Sequence, residues 1–366
     1  MRIYEQFCLP SLNSIVLALS LGMSGYYVIA PVEAATQIAS WNTLHLGWDN
    51  GKDIRAMARI GGAFDLIALH EVMSPAGLDT LEAELESVTG ESWSSMASDA
   101  IGRGDYKEHY AFVWRDSEVT WIDGAVVYID DRDAFAREPM SARFETTDGY
   151  AFALASVHSI YGDDVEGRAI EADALAGYHA WLTESFPGSP VYIAGDFNLP
   201  PGNPAWAPLR AVASPLITEG ATTLSSIDGK FKNLYDNIWA PTGFPIPVSG
   251  AGIMDFPRAL GIDHETARAV ISDHAPVYMT LDAGSTWITL AGQADEVGYR
   301  YGAAVAGSAS KVTEGRTGEI RGNRRSMVFH RPDCPGYGKL SAKNIVSFAD
   351  AAGAIEAGYR IAGNCP

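Results

Sequence analysis

Five apolar runs of strand length in this chain stop, or start, on polar residues. Ile38–Trp41 ends at Asn42, Phe64–Leu69 at His70-Glu71, Phe152–Val157 at His158, and Val191–Gly195 at Asp196-Phe197-Asn198. The fifth is reversed, with Ser272-Asp273-His274 preceding Ala275–Leu281. Strand ends are where a sheet edge collects functional groups, so a reversed strand running antiparallel to the others would bring all five polar ends to one rim. Between the runs lie helical spacings: Leu78, Leu81, Leu85 and Val88 among Glu82, Glu84 and Glu86, and later Ile170, Leu175, Tyr178 and Leu182. Their acidic faces read as solvated surface. Strands alternating with helices, plus a reversed strand, predict an α/β (α+β) sandwich with mixed sheets.

This texture spans residues 36–282. Residues 283–318, rich in Gly, Ala, Ser and Thr, read as a linker. Residues 319–366 become compact again, with Phe329-His330, Cys334, Tyr337, Phe348 and Tyr359, and read as a small C-terminal domain.

The 366-residue chain is 47% hydrophobic, enough to bury a full core. Its formal charge of -19 is unevenly placed: residues 1–310 carry 17 Lys+Arg against 40 Asp+Glu, while residues 311–366 carry 9 against 5. An acidic body disfavours passive adsorption to nucleic acid or anionic membrane, so a polyanionic substrate would need cations at the site. The uncharged apolar run Ser14–Ala30, followed by Val32-Glu33-Ala34-Ala35, reads as a secretory signal over residues 1–35, the alternative being an uncleaved anchor. The expected location is therefore secreted, either extracellular or periplasmic, with no stable membrane association, and the expected state is a monomer. Removing Cys8 with the signal would leave Cys334 and Cys365, an even count that points to one disulfide in an exported protein.

Asn42, Glu71 and Asp273 are oxygen donors suited to a hard divalent cation. Asp196 and Asn198, at i and i+2, put a carboxylate and an amide on one face of an extended segment, where they could orient a water and hold a phosphate oxygen. A single histidine on an apolar strand is usually a satisfied core residue. Two at strand ends, His158 and His274, with Glu108 and Asp236 available to fix their tautomers, are suited to proton transfer. Together these groups form a hydrolase pattern for phosphodiesters. No G-x-S-x-G, P-loop or C-x-x-C competes with it.

The ordered motifs Trp41-Asn42, His70-Glu71-Val72, His158-Ser159, Gly195-Asp196-Phe197-Asn198, Tyr235-Asp236-x-Ile238 and Ser272-Asp273-His274-x-Pro276-Val277 resemble the endonuclease/exonuclease/phosphatase superfamily, most closely its deoxyribonuclease I branch. The resemblance implies a four-layered sandwich of two mixed sheets flanked by helices, with the site on one edge. It implies that Asn42, Glu71 and Asp273, helped by Asp196, hold Mg2+ or Mn2+, with Ca2+ also admissible. Asp196 would orient the water and Asn198 contact the scissile phosphate. His158 with Glu108 and His274 with Asp236 would share acid and base duties, without fixing which histidine does which. The product would be DNA with 5′-phosphate and 3′-hydroxyl ends.

Ile101–Trp114, containing Gly102-Arg103-x-x-Tyr106-Lys107-Glu108-x-Tyr110, resembles that branch's DNA-contacting segment, and Arg137-Glu138-Pro139 its phosphate-contacting arginine. Arg103, Tyr106 and Arg137 would then face DNA. Met73 stands where the family often has an arginine, His70 where it has glutamine, and Asp105 adds a negative charge beside the DNA-reading residues. A sphingomyelinase-type phosphodiesterase or a toxin-like DNase remain the alternatives. The C-terminal segment resembles the metal-binding module of the Ada methyl-repair protein, but it offers only Cys334, Cys365 and His330 toward zinc, which favours a Cys334–Cys365 disulfide. Its arginines, Arg316, Arg321, Arg324, Arg325 and Arg331, would act as a DNA tether or merely as a solvated charge run.

Overall fold

A computed structural model describes residues 35–162, 165–243, 245–283, 287–290, 320–323, 328–332, 334, 337, 345–348, 354 and 359–362. In chain order the elements begin β1 (Thr36–Leu46), α1 (Ile54–Gly61), β2 (Leu66–Val72), α2 (Pro75–Thr89), β3 (Trp93–Ala97), β4 (His109–Arg115), β5 (Val119–Val127), β6 (Met140–Thr146) and β7 (Ala151–His158). They continue with α3 (Glu166–Ser185), β8 (Val191–Asp196), α4 (Ala207–Arg210), β9 (Ala213–Pro215), β10 (Asp236–Pro241), β11 (Pro245–Ile246), β12 (Val248–Ile253), α5 (Phe256–Leu260), α6 (His264–Val270) and β13 (Val277–Leu281). The last are β14 (Ile288–Thr289), β15 (Ile320–Asn323), β16 (Val328–His330), β17 (Ile345–Phe348) and β18 (Arg360–Ile361).

Two six-stranded mixed sheets carry the fold, ordered β12-β13-β1-β2-β4-β3 and β5-β6-β7-β8-β10-β9. Each is built around one parallel pair joined by a helix, β1-α1-β2 in the first and β7-α3-β8 in the second. The neighbours β13 and β10 run antiparallel to β1 and β8. The carboxyl ends of the parallel strands therefore meet the amino ends of β13 and β10, which puts the expected polar termini on one rim.

Alternation along the strands explains the layering, because successive side chains leave opposite faces. Leu66 and Ala68 of β2 join Phe112, Phe144, Phe152 and Leu154 in the core between the sheets. Ile67 and Leu69 face outward onto Met57, Ile60, Leu78, Leu81 and Leu85 of α1 and α2. On the second sheet Ala153, Ala155 and Val157 turn outward onto Leu175, Tyr178 and Leu182 of α3. The result is a helix, sheet, sheet, helix sandwich. Helix α2 illustrates the local logic: the Ser74 side chain accepts from Gly77 N, Pro75 opens the first turn, and Gly90 closes the helix in the left-handed conformation.

The segment expected as a linker is not structureless at its start. β14 pairs antiparallel with β11, and Trp287 meets the Tyr150 ring edge-on at 5.6 Å. β17-β15-β16-β18 form a separate four-stranded sheet with Ile320, Phe329, Ala354 and Tyr359 buried. The expected signal over residues 1–35 lies outside the described residues but for its last, Ala35. Cys365, the partner expected for the buried Cys334, also lies outside them, as do Arg316, Arg324 and Arg325. No described helix is long and apolar enough to cross a membrane.

Candidate active site

Strand register assembles the site. Asn42 pairs with His70 across β1 and β2, and Asp196 pairs with His158 on one side and Asp236 on the other. Gly195 makes this approach feasible, since a Cβ there would lie 1.9 Å from the Val157 carbonyl oxygen. The chain also adopts left-handed backbone at the rim, with φ of 56° at Glu71 and 49° at Asn198. Such conformations cost about 1–3 kcal/mol each and persist only where their surroundings impose them.

Two imidazole–carboxylate pairs flank one carboxylate. His158 Nδ1 lies 2.7 Å from Glu108 Oε1, and His274 Nδ1 lies 2.8 Å from Asp236 Oδ2. The opposite nitrogens converge on Asp196 Oδ2, His158 Nε2 at 3.7 Å and His274 Nε2 at 3.6 Å. All five side chains are buried. Asn42 Nδ2 donates to Glu71 Oε1 at 2.9 Å and to Asp196 Oδ2 at 3.1 Å, and His158 Nε2 stands 4.0 Å from Glu71 Oε1.

The electrostatics follow from this packing. Burial opposes the His158 imidazolium, yet Glu108 outweighs it and lifts the pKa above its ordinary value. Burial likewise opposes charge on Glu108, but His158 and Arg137 hold its carboxyl below the usual range. Asp196, against its own burial, is held low by His274 and His158. His274 is lifted well above its ordinary value despite burial, by Asp236 and Asp196. Burial and the Asp196 charge raise Asp236 too, so the Asp236–His274 pair retains a proton tightly. We place that proton on the imidazole, because Asp196 faces its other nitrogen.

Backbone anchors fix both histidines. His158 N donates to Tyr110 Oη at 2.9 Å, while His274 N donates to Ser272 Oγ and its carbonyl accepts from Trp41 Nε1. His70, at the position where glutamine was expected, is fully buried with Nε2 2.9 Å from Ser156 Oγ. Burial, reinforced by His158, depresses its pKa to about 3, so it is a neutral hydrogen-bonding ring and replaces an amide without adding charge.

Other residues singled out from the sequence are placed differently. Arg103 pairs with the Asp133 carboxylate at 2.8 Å and also donates to its carbonyl. Arg137 is largely buried: it donates to the carbonyls of His158 and Ser159, both at 3.1 Å, and stands 3.4 Å from Glu108. It braces the His158 strand end. Asp273 pairs with Arg268 at 2.9 Å, and the Asn198 amide donates to Ser159 O at 3.0 Å. Tyr106 is half-exposed, its hydroxyl 3.4 Å from Glu108 Oε2.

Lys52, His45 and Trp48 also border the site and carried no sequence signal. Lys52 Nζ donates to the Ile271 carbonyl, and burial lowers its pKa to about 8 even with Asp273 and Glu71 nearby. His45 Nε2 lies 3.2 Å from Glu71 Oε2.

The donor set suits a hard cation. Glu71 Oε2 is buried, 3.2 Å from His45 Nε2, and the neighbouring groups are the carboxylate of Asp196 and the Asn42 amide, whose Nδ2 donates to both carboxylates while its Oδ1, the atom able to bind a cation, accepts from Leu44 N at 3.0 Å. Asp196, Asp236 and His274 also gather within 4.8 Å, a second arrangement able to hold an ion.

The sandwich, with two histidine–carboxylate pairs on its rim, defines a hydrolase of the endonuclease/exonuclease/phosphatase superfamily. A crystal structure of a member from Bacteroides thetaiotaomicron superposes with a TM-score of 0.51 at 14% identity, covering 68% of this chain and 97% of that one. A "Deoxyribonuclease" of Thioalkalivibrio sp. (strain K90mix) is 48% identical over 262 residues, 69% of this chain and 72% of the relative. Rabbit (Oryctolagus cuniculus) "Deoxyribonuclease-1" is 28% identical, over 69% of this chain and 95% of its own length. The chain belongs to this deoxyribonuclease family. The ArfC family matches residues 297–361, a match that begins inside the expected linker.

Proposed function

We propose that this chain is a secreted, divalent-metal-dependent endonuclease that hydrolyses DNA phosphodiesters with little sequence preference, leaving 5′-phosphate and 3′-hydroxyl ends. The observation that carries this reading is the convergence of both imidazole Nε2 atoms on Asp196, at 3.7 and 3.6 Å, with each Nδ1 held by its own carboxylate.

In this reading Asn42, Glu71 and Asp273, helped by Asp196, would hold Mg2+ or Mn2+, which would supply charge neutralisation at the phosphate. The chain's own groups do the rest. Asp196 aligns a water with phosphorus, one histidine takes that water's proton at Nε2, and the other gives a proton to the departing 3′-oxygen as the P–O3′ bond breaks. Glu108 and Asp236 keep each Nδ1 protonated, so that each Nε2 faces the reaction. Asn198 turns its amide to a phosphate oxygen.

Residues 36–282 would be the catalytic unit. Residues 319–366, net positive, would tether the acidic body to DNA. Plasmid nicking with Mg2+, Mn2+ or EDTA, in wild type and His158→Ala, tests the catalytic reading. Nicking should need metal and fall by at least about 10²-fold in the variant. No wild-type nicking with either metal, or full nicking by the variant, would overturn it. Export is checked by amino-terminal sequencing of protein recovered outside the cytoplasm, which should begin near residue 36. Truncation before residue 311 should reduce the salt slope on long DNA.

A further inference from the structure

We infer that His45, Trp48 and Tyr106 form a stacking platform for an unstacked base of single-stranded DNA, beside the catalytic rim. This rests on the DNA-cleaving reading above and names the form of DNA that the site prefers. The Trp48 ring lies on His45 at 4.2 Å and 16°. Tyr106 meets both edge-on, at 6.1 Å from His45 and 6.4 Å from Trp48. Trp48 is nonetheless 49% exposed and Tyr106 38% exposed. His45 reaches Glu71, so the platform begins where the catalytic carboxylates end.

The platform is preformed. Four residues of β1, Thr43 to Leu46, oppose a stretch of β2 two residues long, and the surplus bulges outward with Leu44 and His45 at positive φ. Trp48 N and Asn50 Nδ2 both donate to the His45 carbonyl, and Asn50 N donates to Trp48 O. Gly47, at φ 95°, packs so tightly that a Cβ would lie 2.4 Å from Ser74 Oγ. Little freedom is left to lose on binding.

The chemistry of the occupant follows from what surrounds the platform. Residues 1–310 carry 40 acidic against 17 basic residues, and the two arginines expected to grip DNA are held by Asp133 and by the His158 strand end. Ring stacking attracts a base without needing a cation, and it is sequence-tolerant because every base has a π-face. Bases within a duplex already stack on one another, so the platform favours single strands, gaps and frayed ends.

The test is binding of the full chain in EDTA, by fluorescence anisotropy, to labelled oligothymidylate and to an abasic oligonucleotide of equal length. Wild type should prefer the base-bearing strand by about 10-fold. Trp48→Ala should lose most of that preference and Trp48→Phe should regain it. His45→Ala, with a melting curve, serves as a second variant if Trp48→Ala perturbs the fold. The kcat/KM ratio of single-stranded to duplex DNA should fall alongside. Equal wild-type affinity for the two strands, a preference that survives Trp48→Ala, or an equal loss on single and double strands would overturn the platform. Wild-type plasmid nicking would meanwhile still report on the catalytic reading.

Discussion

Glu108 is the residue at which catalysis, charge and stability meet, and Glu108→Gln separates them. The carboxylate is fully buried, 2.7 Å from His158 Nδ1, 3.4 Å from Arg137 and 3.4 Å from the Tyr106 hydroxyl. Glutamine preserves the shape and one acceptor but removes the charge. His158 then keeps the influences that oppose its imidazolium, burial and Arg137, and loses Glu108, the largest one that favours it. Without the carboxylate's charge the imidazolium is no longer stabilised as it forms, and kcat/KM should fall by about 10²–10⁴. Breaking a buried charge pair costs roughly 3–5 kcal/mol. The low end applies here, because the glutamine oxygen can still take the place of Oε1, 2.7 Å from His158 Nδ1 and 3.4 Å from Arg137 Nε. At about 2–4 °C per kcal/mol, Tm should drop by roughly 6–12 °C.

The pH dependence is the sharper assay, made on EDTA-treated protein. The folded carboxyl of Glu108 lies below its ordinary 4.5, so its contribution is present above that value and is lost as pH falls through the folded pKa. His158 is raised above its ordinary 6.5, so its contribution is complete below 6.5 and is lost as pH rises through the folded value. The stability gap between wild type and Glu108→Gln should therefore be widest between about pH 4.5 and 6.5 and narrow toward alkaline pH. A gap that widens with rising pH, or nicking within threefold of wild type, refutes this account of the pair.

His70→Gln should retain nicking within about threefold, because the buried ring is neutral and its contact is to Ser156; a loss beyond about 10²-fold would mean that the imidazole itself participates. Gly195→Ala should force β7 and β8 apart, costing about 1–3 kcal/mol or more in a melt and abolishing most nicking. Adding Mg2+ at about tenfold its Kd should stabilise wild type by about 1.4 kcal/mol and leave Glu71→Gln almost unmoved, as read by the shift in Tm.

The rim was legible because apolar runs end abruptly on polar residues, and a run's length and its final residue are local facts. Asn42, Glu71, His158 and Asp196 were placed that way, and β13 was placed by its reversed order. Side-chain commitments were not legible, since they depend on which strand end arrives beside which. Arg137 looks like a free phosphate ligand in sequence. Its guanidinium donates to the carbonyls of His158 and Ser159 at the end of β7, the second of which also accepts from Asn198 Nδ2. Arg103 is likewise captured by Asp133, a residue thirty positions away in a separate loop. Trp48 carried no signal because an exposed tryptophan in a turn follows no period.

These side-chain partners follow from how the two sheets meet. Each half of the sandwich supplies an incomplete set: β1 and β2 bring Asn42 and Glu71, while β7, β8 and β10 bring His158, Asp196 and Asp236. Asn42 bonds across the sheets to Asp196, and His274, entering β13 of the first sheet, bonds Asp236 at the start of β10 of the second. The placement of these side chains relative to one another is therefore set by the packing of one sheet on the other. Core residues between the sheets, such as Phe112 against Phe144 at 5.3 Å, hold the candidate rim in register from the core. Truncating either ring should lower kcat more than it raises KM, because the sheets lose register at the reacting atoms while the substrate-facing surface stays in place.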